Sequence, residues 1–168
     1  GYTNVSLLER PADQTGLPRG SFDLVYMRLL LMHLREPLSA LRHARDLLRP
    51  GGVLVCEEAA VDTTFCDPPV AEQARLHELA AQMATERGCD YNLGRRLGTL
   101  VQLAGFVGLD VSAHQPVYVS GPLKHLEIDS FEEAAGRWKG APLVDLERVC
   151  QRMRSAAADE TSVYEEGC

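Results

Sequence analysis

His33 is the residue of this chain best suited to move a proton. An unperturbed imidazole titrates at about pH 6.5, so it can act as a general base near neutrality. It stands five residues beyond the apolar run Phe22-Asp23-Leu24-Val25-Tyr26-Met27-Arg28, at the lip of whatever cleft the end of that run forms. The same place also suits a histidine that only hydrogen-bonds backbone at the start of a helix. Glu57 and Glu58 follow a second apolar run, residues 53–56. Side chains alternate along extended backbone, so one should face the cleft, where it could orient a substrate, and the other should face away. Solvated loop carboxylates would leave the same trace.

Other reactive residues point to little. Cys56, Cys66, Cys89, Cys150 and Cys168 are odd in number, scattered, and without C-x-x-C spacing. Neither a metal site nor a disulfide framework is expected, and a reducing, cytoplasmic setting fits them. His43, His77, His114 and His125 have no ligand-like spacing and read as ordinary helix or surface positions, and Arg95-Arg96 as a solvated helix face.

The elements that must position these groups follow from periodicity. Residues 4–8 read as a short strand, 9–20 as a loop and 22–28 as a strand. The near-continuous apolar character of 22–28 suits a parallel strand covered on both sides. Pro37 belongs at the first position of a helix, where its missing N–H costs nothing. Leu38, Leu41, Ala44, Leu47 and Leu48 recur at helical spacing until Pro50-Gly51-Gly52 stops the helix. After the strand at 53–56 comes a polar loop to residue 69. A helix over 70–87 with Leu76, Leu79, Ala80 and Met83 on one face follows, then a helix through Leu93, Leu97, Leu100, Val101 and Ala104, closed by Gly105. Leu109, Val111 and Ala113 alternate as in a strand, and 117–119 continue it or begin a return strand. From Phe131 onward two helical stretches are split by Gly140-Ala141-Pro142. Strand-helix-strand alternation predicts an α/β, Rossmann-like, mostly parallel sheet with flanking helices.

Composition narrows the partners. The 168 residues suffice for one real core, and a net charge of −7 argues against nucleic acid or an anionic membrane surface, both of which call for basic patches. No apolar run approaches the roughly 20 residues that span a bilayer.

Taken in order, Phe22-Asp23-Leu24-Val25-Tyr26-Met27-Arg28, His33, Leu48-Arg49-Pro50-Gly51-Gly52 and Ala104-Gly105-Phe106 resemble class I S-adenosylmethionine-dependent methyltransferases, most closely the small-molecule branch. The resemblance covers most of residues 4–120, with the helical tail similar to the family's C-terminal extension. It implies a partial methyltransferase domain over 1–120 and a helical extension of that domain over 121–168. It also implies S-adenosylmethionine as cofactor and a small-molecule methyl acceptor. Asp13, after Ala12 and before Leu17-Pro18, matches the family's acid that accepts a hydrogen bond from the adenine amine, a role suited to an acceptor-only carboxylate. A loop aspartate capping a turn is the alternative. Met27 and Arg28 end the strand nearest the cofactor. Arg28 could pair with the methionine carboxylate, with a substrate carboxylate, or structurally with Asp23 or Glu57.

One departure from the family is large. The Asp/Glu-x-Gly-x-Gly cofactor loop and the ribose-binding acid are not in the sequence, which starts near the family's third strand. The expectation is therefore an N-terminally incomplete sheet, a C-terminal fragment of the enzyme, and a strand edge open to a second copy. A non-catalytic partner subunit or inactive remnant that pairs through that edge is the alternative. A nicotinamide-dependent reductase is a third, but no Tyr-x-x-x-Lys pair supports it.

Overall fold

The computed structural model describes residues 3–139, 142–159 and 161–165. Two strands, β1 (Phe22–Arg28) and β2 (Leu48–Glu57), pair in parallel from Leu24↔Val53 through Tyr26↔Val55 to Arg28↔Glu57. Parallel neighbours need a crossover, and helix α1 (Pro37–Leu47) provides it, with proline in its first turn as expected. Its apolar stripe, Ala40, Leu41, Ala44 and Leu47, is buried.

The helix stops earlier than Pro50-Gly51-Gly52. Leu48 is already extended, and the proline-glycine segment instead forms an irregularity inside β2. Pairing jumps from Phe22↔Leu48 to Leu24↔Val53, so Asp23 alone stands against residues 49–52. Gly51 permits this because its φ of +80° lies where a Cβ is disfavoured. Arg49 pairs with Asp23 across the irregularity.

Among the described residues only one face of the two-stranded sheet is covered, where both were expected to be. Val25, Met27, Leu54 and Cys56 point toward α1 and the later helix α3 (Leu97–Leu103), with Leu31, Leu41, Leu93 and Leu100 filling the core beneath them. Leu24, Tyr26 and Val53 on the other face are each more than half exposed. A second core lies among α2 (Ala71–Arg87), α4 (Leu126–Ala135) and α5 (Leu143–Ala158), centred on Leu76, Leu79, Met83, Ile128, Val149 and Met153. Each of these, fully buried, contributes roughly 1.5–3 kcal/mol. Tyr91 touches both cores.

Among the described residues three short strands follow: β3 (Phe65–Asp67), β4 (Val117–Tyr118) and β5 (Val163–Glu165), antiparallel in the order β3-β5-β4. The polar loop expected over 57–69 thus contains β3. Buried Lys124 locks the end of α5 beside them, donating to the Asp159 and Ser162 carbonyls and the Ser162 hydroxyl at 2.9 Å each.

Two expected strands are absent. Residues 4–8 carry no strand hydrogen bonds, and Val5, Leu7 and Leu8 are exposed. Residues 109–113 are likewise irregular, with Val111 exposed. Alternating side chains permit a strand, but a neighbour must take its backbone groups, and none of the described strands pairs with either segment. In the tail, α4 begins at Leu126, ahead of Phe131, while Gly140 and Ala141 lie outside the described residues. Among the described residues no helix is long and apolar enough to cross a membrane.

Candidate cofactor and acceptor site

β1 and β2 end side by side at Arg28 and Glu57, and in open α/β sheets ligands sit outside the carboxyl ends of the strands. These two side chains pair at 3.4 Å, both more than half exposed. The Tyr26 hydroxyl donates to Glu57 at 2.8 Å, and holding that proton raises the phenol above its ordinary range. Met27 points the other way into the core, leaving only its backbone at the strand end.

Just past the strand, Leu29 has a φ of +47°, a left-handed conformation costly for a side chain with a Cβ. Its neighbours hold it there. The Leu29 N–H donates to the Glu57 carbonyl at 2.9 Å. The next three amides, of Leu30, Leu31 and Met32, donate to the Glu58 carboxylate at 3.0, 2.7 and 3.2 Å. Glu57 is thus the exposed member of the pair, while buried Glu58 is fully engaged by loop amides. No local pattern announces this, because the acid and the amides are 26 to 28 residues apart.

That loop carries His33, which is exposed and set edge-on against Tyr91, ring centroids 5.6 Å apart. The His33 carbonyl accepts from the Cys89 thiol at 3.3 Å. Ala12 and Asp13 form a turn beside the start of α1. With Pro11, Leu34, Arg35 and Glu36 they line a small cavity of about 290 Å³. Arg28, Glu57 and Glu58 border a separate, larger groove of about 1220 Å³ between β2 and residues 106–118. Arg95 at its rim is not free but pairs with Asp62, and the neighbouring Arg96 pairs with Asp90, each at 2.9 Å.

The profile of the family described as "Methyltransferase domain" matches residues 5–111, a span that holds both strand ends, the capped loop and Asp13. The chain belongs to this family. It is 35% identical over 91 residues to an uncharacterized 37.1 kDa protein in transposon TN4556 of Streptomyces fradiae. That alignment takes in 54% of this chain but only 26% of that protein. A Bacillus halodurans protein assigned as a methyltransferase superposes with a TM-score of 0.55 at 15% identity, over 98% of this chain and 71% of that one. The shared architecture is the α/β, Rossmann-like fold. A Haemonchus contortus phosphoethanolamine N-methyltransferase, solved with phosphomonomethylethanolamine and S-adenosylhomocysteine, aligns at a TM-score of 0.41 and 13% identity, covering 94% of this chain and 36% of its own.

The methyltransferase domain fits its family's cofactor at one end. Asp13 is an exposed acceptor beside the apolar Ala12 and Leu34, a setting suited to a flat heterocycle with an exocyclic amine. At the strand ends, the amides of residues 30–32 that could meet an anionic group are already taken by Glu58.

A polar cluster that sequence reading missed ties α2 to α4. The His77 Nε2 lies 2.7 Å from Thr64 Oγ1 and 3.4 Å from Glu127 Oε1, and the Thr64 hydroxyl donates to that same oxygen at 2.9 Å. His77 looks like any helical histidine until the loop carrying Thr64 folds over it.

Cys56 sits on the covered sheet face. Burial first, and then the charge of Glu58, push its thiol up to about 12. The thiolate is the reactive form, so at about pH 8 native Cys56 should alkylate on the order of 10²–10³-fold more slowly than in urea. Mass spectrometry of the Cys56 peptide after timed iodoacetamide exposure reads this directly, and equal rates would show that β2 opens to reagent.

Proposed function

We propose that this methyltransferase domain serves methyl transfer from S-adenosylmethionine to a small molecule, as the C-terminal part of the enzyme. The observation that carries the reading is the family match over residues 5–111, which encloses the paired strand ends and the Ala12–Asp13 turn. When bound, the cofactor supplies a methyl group on a sulfonium, already a good leaving group, so alignment supplies most of the rate. Asp13 accepts from the adenine amine, with Ala12 beside the ring. The Met27 backbone and Arg28 border the cofactor at the strand end. Glu57 faces the acceptor side, and Glu58 holds the loop that follows β1. His33, exposed on that loop, accepts a proton when the acceptor is a hydroxyl or protonated amine. The net charge of −7 favours a small acceptor over a nucleic acid, and cysteine usage suits a reducing, cytoplasmic compartment.

Isothermal titration with S-adenosylhomocysteine tests this. The chain alone should bind weakly but saturably, in competition with S-adenosylmethionine, and Asp13→Asn should abolish the heat. Saturable binding untouched by Asp13→Asn would sink the adenine assignment. No heat at millimolar ligand would sink the cofactor reading for this chain.

Among the described residues no strand pairs with the outer edges of β1 and β2, which favours a second reading, a non-catalytic subunit that pairs through a strand edge. A defined heteromer with a full-length enzyme on size exclusion, without cofactor binding, would select it.

A further inference from the structure

His43 is an ordinary helix position by its spacing, and the fold gives it a partner. It stands three residues after Ala40 and four before Leu47, at the margin of the buried stripe of α1, and is half-buried. The Thr15 backbone N–H donates to its Nε2 at 3.2 Å, and Thr15 Oγ1 lies 2.8 Å from the same nitrogen. That hydroxyl oxygen also accepts from the Leu17 N–H at 3.3 Å.

These contacts assign the proton of the ring. An imidazole nitrogen that accepts a hydrogen bond carries no hydrogen, so Nε2 is bare and the proton of the neutral ring is on Nδ1. The Thr15 hydroxyl, already an acceptor from Leu17, then donates its own hydrogen to Nε2. The opposite tautomer would aim an Nε2–H at the Thr15 amide and leave that amide without an acceptor among the described residues.

What this anchor holds is the turn that carries Asp13. The Gln14 N–H donates to the Pro11 carbonyl at 3.1 Å, closing a turn with Ala12 and Asp13 at its two central positions. Among the described residues no hydrogen bond or ion pair joins residues 3–14 to the rest of the chain. Thr15–His43 is the first that does, two positions beyond Asp13. Ala12 packs against the core beside α1, but an apolar contact is non-directional and does not aim a carboxylate.

We propose that His43 is the positioning residue for Asp13. As the Nδ1–H tautomer it holds Thr15, and through Thr15 the turn that presents the carboxylate to the adenine amine. The proposal deepens the cofactor reading and rests on Asp13 being the acceptor for that amine. A turn fixed before the ligand arrives does not have to be ordered at the expense of binding.

Nitrogen NMR of the full chain with isotope-labelled histidine reads the tautomer directly, the His43 resonances being assigned by their loss in His43→Gln. With the ring neutral, Nδ1 should show the shift of a protonated nitrogen and Nε2 that of a bare one. An Nε2–H ring overturns the proposal. Isothermal titration with S-adenosylhomocysteine reads the consequence, in variants whose fold circular dichroism confirms. His43→Leu should weaken binding about tenfold or more. In His43→Gln the Oε1 stands the same number of bonds from Cβ as Nε2 does and can accept from Thr15, so affinity should recover to within about threefold of the parent. Equal weakening by both variants overturns the proposal, because the ring then fills space rather than accepting. Parent affinity in His43→Leu overturns it too, and leaves Asp13 in its role. No heat from the parent chain itself would sink the cofactor reading and this proposal with it, whatever tautomer the ring shows.

Discussion

Replacing Glu58 with alanine should destabilise the fold by about 3 kcal/mol, the largest effect expected of any single side chain near the strand ends. Three loop amides donate to this buried carboxylate, and those of Leu31 and Met32 lie in a buried setting. Each buried donor left unmade costs roughly 1–3 kcal/mol, offset in part because alanine no longer holds a charge away from water. The loop is also where Leu29 sits at positive φ, so loosening it lets that residue relax and moves His33 with it. Glutamine separates charge from shape. Its carbonyl can still serve Leu30 and Leu31, which share one oxygen, but its NH₂ would confront the Met32 amide, for a cost of about 1–2 kcal/mol. Urea unfolding reads both variants as lower midpoints at unchanged slope. A midpoint for Glu58→Ala within error of the parent would mean that water takes over the amides and that the loop holds itself.

Where the chain was legible, the information was local. The strand Phe22–Arg28 shows as an apolar run, α1 is announced by Pro37, and α2 differs by one residue from its period-derived bounds. His33, Glu57 and Glu58 are nameable from position relative to those runs, whereas Ala12, Asp13, Met27 and Arg28 come only from the family resemblance. What each one does depends on partners far along the chain. Glu57 meets Arg28 across 29 positions, and Glu58 reaches back 26 to 28. Strands failed for a related reason. Residues 4–8 and 109–113 have the right alternation, but a strand is a relation between two segments, and one segment cannot show whether the other is in place. The bare sheet face is the same problem seen from the side, since Leu24 and Tyr26 look as apolar as Val25 and Met27 until the helices choose which pair to cover.

Gly94→Ala should be the second strongly destabilising change, and Gly98→Ala, four residues on, should be neutral or stabilising. Both glycines line the groove beside β2. A Cβ on Gly94 would lie 2.6 Å from the Glu58 carbonyl oxygen and 2.7 Å from that of Ala59. These are backbone atoms that no rotamer change can move, and the Gly94 N–H itself donates to the Ala59 carbonyl at 2.9 Å. The methyl must push the end of β2 away from the turn that precedes α3, at a cost of about 1–3 kcal/mol or more. Because the displaced residue is Glu58, the carboxylate that caps the loop moves too. The double variant Gly94→Ala with Glu58→Ala should therefore lose less than the two single losses added together. On Gly98 the nearest atom to a new Cβ is Val111 Cγ2 at 3.7 Å, ordinary contact, and alanine there raises helix propensity by up to about 1 kcal/mol. Urea midpoints of the two single variants, measured side by side, should thus move in opposite directions or leave Gly98→Ala unmoved. If both fall equally, the close approach of Gly94 to the strand end is not what holds the groove together. Additive losses in the double variant would show that the strand end and the loop cap act independently.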